Sequence, residues 1–311
     1  MKRRKRLFYK NIIHHIYQRS ADGYLLFYNV SDYLVYFTIM CINAQKYDVH
    51  LLMTSFMPDH IHHSACAERA KNLSEFMKET TRLYAVENNL TCNREGPLFQ
   101  HPFGSAPKNG DKKGRANLIY VGNNGPERHL GKNAEDYRWS FLAYATSDHP
   151  FSDPLKIRKA SNKLQKAIKE VKLAAEQWRY LHYNQLQRLF RGLEKREKEQ
   201  LTDFIISTYN VIDYEFASKL FNSYDDMIVA MHSNIGSEYD INEVFIGKSD
   251  AHYARMVSIV IKECGFKDIH DMFKLSIDRR FELYKLLCSK TEAFPEQIAA
   301  FLRLPVKKKS I

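Results

Sequence analysis

Long hydrophobic runs are missing from this chain of 311 residues. No stretch reaches the roughly 18 consecutive apolar residues that a bilayer-spanning helix needs, and a mean hydropathy of −0.47 argues against a polytopic membrane protein. Cysteine is scarce. The five present (Cys41, Cys66, Cys92, Cys264, Cys288) are odd in number, widely spaced and free of any CxxC pair, which excludes a disulfide framework or a zinc knuckle and fits a reducing, cytoplasmic compartment. The basic start, Met1 to Arg6, is followed by no apolar stretch with a small-residue cleavage site, so no secretory signal is expected. Internal repeats and low-complexity tracts are also missing. The hydrophobic share of 44% is ordinary for a chain that folds around a core, and the length suits about two domains.

Positive charge is plentiful and unevenly placed. Residues 1–154 carry a net +5, residues 155–199 carry 13 basic against 5 acidic side chains, and residues 200–311 carry a net −2, within an overall +11. A basic middle segment joined to a basic first half points to a polyanion, and nucleic acid is the commonest one. The competing explanation is a solvated helix on a soluble basic protein.

Strand and helix signals alternate over residues 1–150. Ile12 to Arg19 leans to strand, Gly23 to Val30 reads as a second short strand, and Ser31 caps a helix reaching about Lys46. Val49 to Met57 reads as a buried strand, Pro58-Asp59 as a turn, and His60 to Cys66 as its hairpin partner. Asn72 to about Asn88 is amphipathic. Gly96 to Arg115 reads as a loop, mobile or ordered by a ligand, and Ala116 to about Asn124 as a short helix. The pattern predicts an α+β fold with an antiparallel sheet. Residues 151–200 are expected to form a basic amphipathic connecting helix, either packing one face on a domain or offering a rail to a nucleic-acid backbone. Residues 201–311 are expected to be a helical accessory domain. Its end, Glu282 to Cys288 and Pro295 to Leu304, resembles the first two helices of a helix-turn-helix with no third before the final lysines.

The sharpest motif is Met57-Pro58-Asp59-His60-Ile61-His62-His63. Histidines two apart on a strand point to one face, so His60 and His62 can hold one metal together; a chance pair of surface histidines is the competing explanation. Tyr120 and Asn124 stand four apart and share a face if their segment is helical. An activated phenol is a competent nucleophile toward phosphate, and an amide oxygen can complete a metal site.

Together these pieces resemble a known family. His15-Ile16-Tyr17-Gln18-Arg19 followed by the MPDHIHH run is similar to the HxxxR and MPNHVH opening of single-tyrosine HUH transposases, nearest the branch associated with repetitive extragenic palindromes. The match continues in order through Leu73 to Lys78 with Tyr84, Gly96 to His101, Tyr120 to Asn124, and Glu135 to Ser140, covering about residues 12–145. The resemblance implies a ferredoxin-like antiparallel sheet with flanking helices and a catalytic domain over residues 1–150. It implies His60, His62 and Asn124 as ligands of Mg²⁺ or Mn²⁺, and Tyr120 as the nucleophile. The implied activity is cutting and rejoining of single-stranded or hairpin DNA through a 5′-phosphotyrosine bond. Imidazole plus an amide oxygen suits Mn²⁺ at least as well as Mg²⁺. The chain departs from the family pattern in three places: Asp59 replaces the usual Asn, His63 the usual aliphatic residue, and Gly125-Pro126 the usual Pro-Val after the asparagine.

Arg19, Lys112, Lys113 and Arg115 are candidate DNA contacts, as is the Arg3 to Arg6 tail, while Tyr137 and Trp139 read as packing residues. A catalytically silent, host-adopted nucleic-acid-binding regulator stays open beside the enzyme, as does a helical interaction protein in which the histidine pair is incidental. Monomer and homodimer are equally compatible with the sequence.

Overall fold

In the computed structural model, which describes residues 6–100, 102–235 and 249–305, four strands form one antiparallel sheet. They are β1 (Ile13–Arg19), β2 (Val49–Phe56), β3 (His60–Ala67) and β4 (Gly104–Lys108), in the order β2-β3-β1-β4. Helix α1 (Val30–Lys46) links β1 to β2, and α2 (Ala70–Thr91) links β3 to β4. That is the βαββαβ pattern of ferredoxin-like sheets. Arg3, Arg4 and Lys5 of the basic tail, His101 and the lysines at 307–309 lie outside the described residues.

Register decides which side chains meet. His15 lies opposite Ser64, Tyr17 opposite His62 and Arg19 opposite His60 across the β1–β3 pair, and directly opposed residues share a face. The alternate residues, Ile16 and Gln18 opposite His63 and Ile61, turn the other way. One face therefore carries Ile16, Ile61 and Ala65 into the largest core, which α1 and α2 cover with Leu34, Val35, Phe76, Met77 and Tyr84. The other face is covered by α3 (Asp111–Glu127), whose Leu118, Ile119 and Val121 pack with Ile13, Leu52 and Met53.

Beyond the sheet the chain is helical: α4 (Asn162–Glu176), α5 (Tyr183–Phe190), α6 (Lys195–Tyr209), α7 (Tyr214–Lys219), α8 (Tyr224–Ser233), α9 (His252–Cys264), α10 (Ile277–Lys290) and α11 (Pro295–Phe301). Leu164, Val171, Leu186 and Ile205 of α4 to α6 enter the same core as α1 and α2. Met227 and Met231 of α8 pack on α3, and α9 to α11 enclose a third core with Leu25 and Tyr28.

Four expectations need correction. Residues 23–30 form no strand; Leu25, Leu26 and Phe27 are buried in irregular backbone, with the Leu26 and Phe27 amides donating to Pro58 O at 2.7 and 3.1 Å. The cap of α1 is Asn29 rather than Ser31: its side chain accepts from the Asp32 amide, and Asp32 returns the bond to the Asn29 N–H. The Gly96 to Arg115 loop contains β4 and the first residues of α3, so the short helix expected from Ala116 begins at Asp111. The connecting helix is divided among α4, α5 and the start of α6, with Trp178 (φ 56) and Gly192 (φ 72) in the left-handed region at the two breaks. Helices α10 and α11 pack on each other, and residues 306–311 lie outside the described residues.

Candidate active site

Strand alternation places His60 and His62 on the face beneath α3, their rings 4.8 Å apart and perpendicular. Both are buried, at 5% and 0% exposure. His63 points the other way into the main core, where it meets Thr54 Oγ1 through Nδ1 and the Phe56 and Phe76 rings, and burial pushes its imidazole down to about 3. It stands apart from the two other histidines because a strand reverses sides at every residue.

Tyr120 and Asn124 sit one turn apart on α3, and Tyr120 lies over this same face. The Tyr120 ring receives the edges of His15 and His62 at 5.3 and 5.5 Å. Asn124 Nδ2 donates to Tyr120 O at 2.8 Å, so the amide oxygen is the atom through which Asn124 could hold a metal. Helix α3 is fastened to β3 nearby by Asn117, whose Nδ2 donates to Ser64 Oγ.

Gly125 lets the helix end close over the sheet. A Cβ there would meet Tyr137 Cδ1 at 2.6 Å and its Cβ at 2.9 Å, and Tyr137 is pinned by its hydroxyl donating to Phe56 O at 2.6 Å. We expect Gly125→Ala to destabilise the fold by about 1–3 kcal/mol, the usual cost of overpacking; a denaturant midpoint equal to wild type would refute this. Trp139 stacks on Tyr33 at 4.2 Å, so Tyr137 and Trp139 both do the packing read from the sequence.

The hydrogen bonds behind the histidines were not foreseen. His60 Nδ1 lies 2.6 Å from Asp59 Oδ1, and His62 Nδ1 lies 2.9 Å from His15 Nε2 on the neighbouring strand. His62 Nε2 is buried with no hydrogen-bond partner. Burial holds the His62 imidazole well below its ordinary value, with His60, His15, Arg19 and His63 adding to the effect, so it is neutral and able to coordinate. Burial opposes ionisation of Asp59, but His60 and Arg128 outweigh it and keep the carboxyl below the usual range. Period-two reasoning applied to β1 as well as β3 would have found His15; nothing local marks Arg128.

Arg128 follows α3 directly, eight residues beyond Tyr120. Its carbonyl accepts from the Asp250 amide at 3.0 Å and its Nη1 lies 3.9 Å from Asp250 Oδ1, which ties the segment before α9 to the end of α3. Of the candidate DNA contacts, Arg19 is exposed on the site face opposite His60. Lys112 and Lys113 are exposed on the first turn of α3, about 10–12 Å along the axis from Tyr120 at 1.5 Å per residue. Arg115 is half-buried and donates to Leu220 O at 3.2 Å, a structural tie to the end of α7.

A divalent ion fits the donor set. Two imidazoles stand on one strand face, one with an orphaned buried nitrogen, beneath the helix that carries Tyr120 and Asn124. Among the described residues no group of three His, Cys, Asp or Glu is placed to hold a metal, so the amide would have to supply the third protein ligand. No helix among the described residues is long and apolar enough to cross a membrane.

No family model matches the chain, and no curated protein matches it. Among solved structures, that of a REP-associated tyrosine transposase bound to a REP hairpin is similar to 46% of this chain over 84% of its own, at 14% identity and a TM-score of 0.40.

Proposed function

We propose that the protein is a metal-dependent endonuclease and strand transferase for single-stranded or hairpin DNA, with Tyr120 as nucleophile. The observation that supports this reading is the packing of Tyr120 on α3 against His62 on β3, with His60 beside His62 on the strand and Asn124 one turn from Tyr120 on the helix.

His60, His62 and Asn124 would hold Mg²⁺ or Mn²⁺, and the bound ion would supply Lewis-acid polarisation of the scissile phosphate. Tyr120 Oη attacks phosphorus in line. The O–P bond forms, the phenol gives up its proton, the P–O3′ bond breaks, and the departing 3′ oxygen takes up a proton. The product is a 5′-phosphotyrosine and a free 3′-hydroxyl, and attack by another 3′-hydroxyl reverses the step without an external energy source. An unperturbed phenol ionises near pH 10, so positive charge must favour the phenolate, and Arg19 lies on the same face. Lys112 and Lys113 would guide the backbone towards Tyr120.

His60, Asn124 and Tyr120 are 5, 5 and 6% exposed.

The test uses labelled single-stranded hairpins from repeats flanking the gene, with the adduct resolved on a denaturing gel. Adduct is expected with either ion, at lower concentration with Mn²⁺ than with Mg²⁺, and none with excess EDTA. Full yield in EDTA would remove the metal from the reading. Salt-sensitive binding with no adduct in either ion would establish the silent regulator instead.

A further inference from the structure

We propose that Asp59 and His15 are positioning residues that set which nitrogen of His60 and of His62 faces the ion; the inference rests on the metal site proposed above. A neutral imidazole has one N–H and one bare nitrogen, and only the bare nitrogen can coordinate. The choice between the two is made by the hydrogen bond on the far side of the ring.

For His60 that bond is set by Asp59. An ionised carboxylate only accepts, so at 2.6 Å the proton must sit on His60 Nδ1, and Nε2 is left bare. For His62 the partner is His15 Nε2, at 2.9 Å from Nδ1. This pair has two proton arrangements, and only one of them, with His62 Nδ1–H donating to His15, leaves His62 Nε2 able to coordinate. His62 Nε2 is the atom found buried without a partner. His15 is itself fixed: it is 2% exposed, its ring lies side by side with that of His62, 19° from coplanar at 5.1 Å as their in-plane bond requires, and it packs nearly perpendicular to Tyr120 at 5.3 Å. One residue thus orients a ligand and abuts the nucleophile, while a carboxylate orients the other ligand.

The role of Asp59 explains how this chain tolerates the acid where the resembled family carries asparagine. Either side chain can accept from Nδ1–H, but the carboxylate can do nothing else. It leaves the tautomer unambiguous.

Two measurements on the full chain test this. The first is Mn²⁺ affinity by calorimetry without DNA. Asp59→Ala and His15→Phe are each expected to weaken binding about 10–100-fold, the usual range for loss of such a partner, and Asp59→Asn to recover most of the loss. His15→Leu, which also removes the acceptor, replaces His15→Phe if that variant does not fold. The second measurement is long-range ¹H–¹⁵N NMR on histidine-labelled, metal-free protein, with His60 expected to carry its proton on Nδ1 and Asp59→Ala to show a mixture. Affinities within twofold of wild type in variants that melt normally would overturn the inference, as would a proton on His60 Nε2. If wild type takes up no Mn²⁺ but His60 and His62 are both protonated on Nδ1, the tautomer assignment is supported and the metal-dependent reading fails.

Discussion

Tyr120→Phe is expected to form no covalent adduct with hairpin DNA in either metal, while binding the same DNA nearly as well as wild type. The expectation follows from what the substitution removes. The Phe ring occupies the same space between His15 and His62, against which Tyr120 is packed edge-on at 5.3 and 5.5 Å, so α3 keeps its seat on the sheet. Only the hydroxyl is lost. A single neutral hydrogen bond contributes about 1 kcal/mol, so DNA affinity should change by less than about tenfold. Tyr17 shares that face, opposite His62, but its ring lies over Gly104, whereas Tyr120 is the phenol whose ring packs on His62. An adduct of wild-type yield from Tyr120→Phe would reassign the nucleophile, and Tyr17 would be replaced next. A binding loss of several hundredfold would show instead that the phenol anchors DNA before any chemistry.

The parts of this site that were legible in the sequence are those fixed by short periodicities. HxH on a strand and YxxxN on a helix each guarantee a shared face, and both hold: His60 with His62, and Tyr120 with Asn124. The same alternation sends His63 to the opposite core. What escaped was set by contacts distant in sequence or by backbone without a sequence signal. Strand β4 reads GSAPK, with no β-branched residue and with Pro107 inside it, and such a segment pairs only at a sheet edge, beside β1. The buried run Leu25 to Phe27 looks like a strand because apolar content alone does not separate a strand from a plug that fills a core. The break after α4 falls in Gln177-Trp178-Arg179, where no Gly or Pro announces it, yet Trp178 takes φ 56. His15 and Arg128 became visible only through their partners, His62 across one strand pair and Asp250 in the C-terminal region.

The largest expected loss of stability comes from a group far from the histidines, Asp32. It is fully buried at the start of α1. Its Oδ2 accepts from the Tyr28 and Asn29 amides at 2.6 and 3.0 Å, and its Oδ1 accepts from the Tyr183 hydroxyl of α5 and from His270 Nε2 at 3.0 Å. One carboxylate thereby joins the α1 cap, α5 and the C-terminal region. Asp32→Ala removes one of the two anions that hold a buried cation and leaves the Tyr28 and Asn29 amides and the Tyr183 hydroxyl without this acceptor, and breaking such a buried pair costs about 3–5 kcal/mol. At about 2–4 °C per kcal/mol for chains of 150–250 residues, the melting temperature should drop by about 10 °C; a drop below about 3 °C would mean that the cluster contributes little. The same pair makes stability depend on pH. Burial lowers the His270 imidazole, but Asp32 and Asp268, the latter 2.8 Å from Nδ1, outweigh it and lift the group to about 10. The charges around it are complete in kind: Asp32 and Asp268 are the anions, Tyr183 and Tyr28 are neutral, and Arg303 lies beyond Tyr28 at 5.5 Å from its ring. Because the folded value is raised, the imidazolium's contribution is whole below the unfolded pKa near 6.5, and it is lost as pH climbs through about 10. Thermal melts from pH 6 to pH 10 should therefore fall more steeply for wild type than for His270→Gln, and parallel curves would show that His270 folds uncharged.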